Sequence, residues 1–80
     1  MNRQDIDNKV IKIFSIILNL PLNKLNLKSS PEDIPEWDSL NHIKVIMEIE
    51  NAFRVEILPE EALEINTILD ICKMLYKKLA

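Results

Sequence analysis

The sequence predicts an all-α domain, a four-helix bundle with a short third helix and a long loop between helices one and two. Apolar residues recur at three- and four-residue spacing in three segments, and no segment alternates as a strand does. Hydrophobic residues make up 48% of the chain and charged residues of both signs 29%, which favours a packed core over disorder. Because 80 residues suffice for only one small core, we expect residues 1–80 to form a single domain.

The first helix is predicted over residues 4–18, where the apolar residues follow a helical period. These residues are Ile6, Val10, Ile13, Phe14, Ile17 and Leu18. Ile11 and Ile16 widen the apolar face, so we expect this helix to be covered on more than one side.

A loop is predicted over residues 19–38, because asparagine, serine and proline interrupt any regular element there. Five aliphatic residues nevertheless recur along it, and we expect them to pack onto the core: Leu20, Leu22, Leu25, Leu27 and Ile34. Long loops inside compact domains are usually functional.

The second helix is predicted over residues 39–53, and both Asp38 and Ser39 are suitable N-cap residues for it. Six residues give its apolar period: Leu40, Ile43, Ile46, Met47, Ile49 and Phe53. Met47 is expected in the core.

The third and fourth helices are predicted from their first residues. Pro59 suits the first position of a one- or two-turn helix over residues 59–63, and Glu60 and Glu61 suit the positive end of its dipole. Thr67 and Asp70 are spaced as in a capping box, which predicts a last helix running to about Lys78.

Composition excludes several functional classes. The chain has no glycine, which rules out the glycine-rich phosphate loops, and its net charge of −3 without a basic stripe argues against nucleic acid as a partner. Cys72 is the only cysteine, so no internal disulfide or cysteine-cluster zinc site can form, and its apolar neighbours predict a small buried residue. Without an apolar signal core or spanning run, we expect a cytoplasmic, monomeric protein with no membrane insertion.

Four residues where the loop meets the second helix are the most informative: Trp37-Asp38-Ser39-Leu40. With the order of helices and the spacing from residue 38 to residue 68, they make the chain resemble the acyl carrier protein family. The resemblance implies a non-catalytic carrier that holds an acyl group as a thioester on a 4′-phosphopantetheine arm. A phosphopantetheinyl transferase would attach the arm to Ser39 from coenzyme A, with Asp38 helping to position that enzyme.

The resemblance also implies a partner-binding face for the transferase and for enzymes that load and transfer the cargo. Its candidate residues are Leu40, Asn41, Ile43, Lys44, Met47, Glu48, Glu60 and Glu61. A phosphodiester at the first turn of a helix would meet free N–H groups and the positive dipole end. A flexible arm would present its cargo to several enzymes at high effective concentration.

Two departures from the family pattern bear on the pathway. The second helix has Asn41, Lys44 and Asn51 where carriers of fatty acid synthesis are often acidic, and Trp37 stands where those carriers usually have a small residue. These departures favour an acyl carrier of a specialised pathway over one of housekeeping fatty acid synthesis. An aminoacyl or peptidyl carrier and an unmodified helical adaptor with the same fold are the alternatives, and the sequence does not specify the cargo.

Other interpretations of the site residues are weaker. Ser39 alone would suit a helix cap. His42 lies three residues after Ser39, but no orienting acid or Gly-x-Ser-x-Gly turn supports a hydrolase, so a solvated surface histidine is expected. Trp37 is expected to be partly exposed beside Ser39. A cluster of glutamates is expected to be a solvated face and not a cation site: Glu56, Glu60, Glu61 and Glu64.

Overall fold

Four α-helices and one short 3-10 helix form the chain in the computed structural model, which describes residues 1–80. The α-helices are α1 (Arg3–Leu18), α2 (Ser39–Phe53), α3 (Pro59–Leu63) and α4 (Ile68–Lys78), and the 3-10 helix spans Leu22–Lys24. The predicted all-α class, with a short third helix and a long first connection, is confirmed. The 3-10 helix lies in the segment predicted to lack any regular element, and that prediction was wrong.

Local rules account for the helix ends. The Thr67 hydroxyl accepts from the Asp70 N–H at 3.2 Å and the Asp70 carboxylate accepts from the Thr67 N–H at 3.0 Å, which is the predicted capping box. With no glycine available, α1 and α2 end at Asn19 and Arg54, both in the left-handed region with φ of 56° and 55°. Asparagine tolerates this conformation better than arginine does, so the α2 end is the more strained.

The core contains 18 buried hydrophobic residues, and α1 packs against both α2 and α4. The loop after α1 closes one end of the core through Leu25 and Ile34. It also meets the start of α4, where the Ile68 and Leu69 N–H groups donate to loop carbonyls at 3.1 and 2.9 Å. Because these N–H groups have no partner inside α4, the long loop both covers the core and satisfies the helix end.

Two apolar residues predicted to pack inward lie outside. Leu22 is 56% exposed in the 3-10 helix and Ile16 is 70% exposed on α1. Both are aliphatic, as are the buried residues Ile13 and Leu25 of the same segments, so the residue type alone did not separate them. None of the helices combines the length and the apolar character that a membrane crossing requires.

Candidate functional site

Ser39 is the first residue of α2, and its side chain is exposed. The N-cap is Asp38, whose carboxylate accepts from the Asn41 N–H at 2.9 Å. Since Asp38 satisfies the helix end, the Ser39 hydroxyl is not used as a cap. The interpretation of Ser39 as no more than a helix cap is therefore wrong, and a free primary hydroxyl stands at the start of α2.

Two hydrogen bonds stabilise the turn before Ser39. The Asn41 side-chain amide donates to the Glu36 carbonyl at 2.8 Å, and the Trp37 N–H donates to the Ile34 carbonyl at 3.0 Å. Asn41 was predicted to belong to a partner-binding face, but it is half-buried and its amide is engaged within the chain. These bonds fix the turn that presents Ser39.

Trp37 is only 2% exposed, so the expectation of partial exposure was wrong. Its ring meets that of Phe14 on α1 edge-on, with centroids 4.7 Å apart. The indole N–H, which would oppose burial if unpaired, donates to His42 Nδ1 at 2.9 Å. Because this N–H has a partner, the large ring can enter the core.

His42 links Trp37 to α3 and is half-buried, not the solvated surface histidine that was expected. Because an indole N–H can only donate, Nδ1 is the acceptor, and the ring proton lies on Nε2. Nε2 then donates to the Ala62 carbonyl at 3.1 Å. With both ring nitrogens engaged, neither is available to take a proton from Ser39, and the arrangement gives no support to a hydrolase.

An open groove of about 750 Å³ lies beside Ser39, between the start of α2 and α3. Half of its lining residues are hydrophobic, among them Ile43 from α2 and Leu63 from α3. Trp37 and His42 also line it, so the groove connects the hydroxyl of Ser39 with a largely apolar surface. A second groove of about 420 Å³ is lined mainly by charged side chains of α3 and α4 and does not include Ser39.

The outer face of α2 carries an uncovered apolar stripe: Leu40, Ile43 and Met47, which are 62%, 57% and 57% exposed. The core prediction for Met47 was therefore wrong. A second stripe faces inward: Val45, Ile46, Ile49 and Phe53. Both stripes have helical spacing, so the sequence period alone did not tell which one faces the core, and the fully buried Val45 was missed.

The remaining residues of the predicted partner face differ in exposure and in the bonds they make within the chain. Lys44, Glu48 and Glu60 are exposed. The Glu61 carboxylate accepts from the Leu58 N–H at 2.9 Å and pairs with the Lys78 ammonium at 3.0 Å, and these bonds lower the pKa of Glu61.

No group of three or more histidine, cysteine or acidic side chains is placed to hold a metal ion. Cys72 is fully buried on α4, as predicted. Burial, followed by the neighbouring Asp7, raises the pKa of its thiol, so Cys72 is not a second nucleophilic thiol.

Comparison with curated proteins finds relatives over most of the chain. The acyl carrier protein of Buchnera aphidicola subsp. Schizaphis graminum is 38% identical over 64 residues, 80% of this chain and 81% of its own. That of Rubrobacter xylanophilus is 35% identical over 68 residues, 85% of this chain and 84% of its own. That of Thermosynechococcus vestitus is 32% identical over 80 residues, 100% of this chain and 99% of its own. No family model matches the chain.

Proposed function

Since the chain belongs to the acyl carrier protein family, whose members are carriers and not enzymes, we propose that it carries its cargo through Ser39. In this proposal Ser39 is esterified with a 4′-phosphopantetheine arm. The supporting observation is that Asp38 caps α2 and leaves Ser39 as an exposed hydroxyl at the margin of an apolar groove. The relatives' names support the carrier role, and the geometry supports this particular serine.

The surroundings of Ser39 fit such an arm. The first turn of α2 has backbone N–H groups that intrahelical bonds leave free, and they favour the negative charge of a phosphodiester. When bound, the arm supplies a terminal thiol that holds an acyl group as a thioester. Ile43 and Leu63, in the groove wall, would contact an apolar arm or cargo, and Trp37 and His42 lie at its inner side.

Asp38 and the exposed stripe of α2 would serve the partner enzymes. Asp38 is exposed next to Ser39, so its carboxylate is available to a transferase as well as to the helix end. Leu40, Ile43 and Met47 offer uncovered apolar surface beside the attachment point. We assign this stripe, with Lys44 and Glu48 on the same helix, to docking of the transferase and of acyl-handling enzymes in the cytoplasm.

A specialised acyl pathway is the finer proposal. In residues 39–54 two basic and two acidic side chains cancel, so the face next to Ser39 lacks the strong negative charge that basic docking patches select. The same neutral face also suits an aminoacyl or peptidyl carrier, which is the second candidate. An adaptor without an arm would use the exposed stripe and would not need the Ser39 hydroxyl.

The test is the intact mass of the purified chain after incubation with coenzyme A, magnesium and a broad-specificity phosphopantetheinyl transferase. We expect the gain of one phosphopantetheine, mapped by peptide analysis to Ser39. Ser39→Ala is expected to gain nothing, and Ser30→Ala, which removes a hydroxyl bonded to Asp33 at 3.2 Å, is expected to load normally. A folded wild-type chain that stays unmodified while a known carrier is loaded would contradict the proposal.

A further inference from the structure

We propose that Trp37 and His42 close the inner side of the groove beside Ser39, so that the cargo stays in the open groove and does not enter the helical core. His42 is then a specificity-determining residue that restricts this carrier to short or compact acyl groups. The inference rests on the proposed function, because it concerns the cargo of an arm on Ser39.

The indole ring of Trp37 separates the groove from the core. Its ring lines the groove, yet it is 2% exposed and contacts Phe14, a fully buried residue of α1. An acyl chain moving inward from Ser39 meets this indole first. Protein interiors are close-packed, so the volume that the indole fills is not available to an alkyl chain unless the ring moves.

His42 fixes the position of the Trp37 ring and links α2 to α3. Its ring lies nearly parallel to the indole, with centroids 6.0 Å apart and an interplanar angle of 20°. Its two hydrogen bonds run to Trp37 on one side and to the Ala62 carbonyl of α3 on the other. Moving the indole, or spreading α2 from α3, breaks one of these bonds and leaves a partly buried polar group unpaired, which is unfavourable.

The open groove offers an alternative place for a small cargo. Ile43 and Leu63 stand on its two sides, and both are largely exposed, at 57% and 85%. A short acyl group covers this apolar surface without moving Trp37. A long chain has no matching enclosed volume and extends into water, which makes it a poor cargo.

The experiment loads the chain with butanoyl, octanoyl and dodecanoyl arms linked by a non-hydrolysable amide, using the corresponding coenzyme A analogues and the transferase. Intact mass reports loading, and the melting temperature and the emission of Trp37, the only tryptophan, report where the acyl chain lies. For the wild type we expect full loading, a melting temperature independent of chain length, and an unchanged Trp37 emission maximum.

Three variants separate closure of the groove's inner side from a general effect on stability. His42→Ala opens the inner side, and its melting temperature is expected to rise by several degrees from the butanoyl to the dodecanoyl form. His42→Gln, which can keep a polar link to Trp37 or Ala62, and Ile16→Ala, at a 70% exposed position of α1 outside the groove, are expected to show no such dependence.

A wild-type melting temperature that climbs with chain length, together with a shifted Trp37 emission, overturns the inference while the carrier function stands. Absence of loading overturns the carrier function and this inference with it. Should His42→Ala fail to fold, the wild-type series alone decides.

Discussion

The indole N–H of Trp37 donates a 2.9 Å hydrogen bond to His42 Nδ1, while the same ring packs edge-on against Phe14 in the core. One side chain thus joins the packing of α1 to the site at the start of α2. Trp37 also lies two residues before Ser39, so whatever disturbs its packing is transmitted to the turn that presents the hydroxyl. The stability of the bundle and the geometry of the site are therefore coupled.

Shortening Trp37 should cost much of the stability of this small domain. Trp37→Ala leaves a cavity beside Phe14 and removes the donor to His42, and about 3–5 kcal/mol of the free energy of unfolding should be lost. Urea unfolding followed by circular dichroism measures it, since the only tryptophan is gone. Ile16→Ala, at a 70% exposed position, is the control and should change stability by less than about 0.5 kcal/mol. A loss below about 1 kcal/mol for Trp37→Ala would argue against its role in the core.

Asp38 caps α2, and we expect it to have a separate role in recognition by the transferase. Asp38→Asn keeps an oxygen that accepts from the Asn41 N–H but loses the charge, so stability should stay within about 0.5 kcal/mol of the wild type while arm attachment slows. Asp38→Ala loses both, and its free energy of unfolding should fall by about 1 kcal/mol. Urea unfolding and the rate of mass gain are the two readouts. If Asp38→Asn is loaded at the wild-type rate, the carboxylate acts only as a cap.

The neutral second helix predicts docking that depends on apolar contact more than on charge. Met47→Ala removes an exposed anchor, so kcat/KM of the transferase should fall about tenfold, equivalent to about 1.4 kcal/mol, with little change in the melting temperature. Added salt should alter the wild-type rate less than about twofold, because few charge pairs are there to be screened. Ile16→Ala on α1 is the matched exposed control. A steep fall of rate with salt would indicate docking through charged residues instead.

The elements of the fold were predictable because short-range rules determine them. Pro59 at the start of α3 and the capping pair Thr67 and Asp70 at the start of α4 lie within one turn of the helices they begin. Ser39 was selected as the candidate attachment site in the same way, from its neighbours in the chain and the resemblance they support. Such signals need no knowledge of which helices meet.

The inner part of the site was not predictable, because it depends on contacts distant in sequence. His42 meets the Ala62 carbonyl across 20 residues, and Trp37 meets Phe14 on another helix. Met47 was placed in the core because two apolar stripes of equal period run along α2, and only the packing of α1 against α2 selects between them. Trp37 can be buried because its indole N–H has a polar partner, and no local sequence pattern predicts that partner.

Tyr76 on α4 predicts how the bundle responds to alkali. Its hydroxyl donates to the Asp7 carboxylate of α1, and burial, then this bond and the charge of Asp7, raise the pKa of Tyr76 to about 12 from an ordinary value of 10.0. A raised folded-state pKa contributes stability that is complete below pH 10.0 and is lost as the pH rises towards about 12. Tyr76→Phe should therefore be less stable than the wild type at neutral pH, by at most about 1 kcal/mol, and the two should converge across that window. Urea unfolding at several pH values measures the difference, from which the lysine titrations common to both proteins cancel. Tyrosinate absorbance appearing near pH 10 in the folded wild type, whose only tyrosine is Tyr76, would contradict the link between α4 and α1 through Asp7.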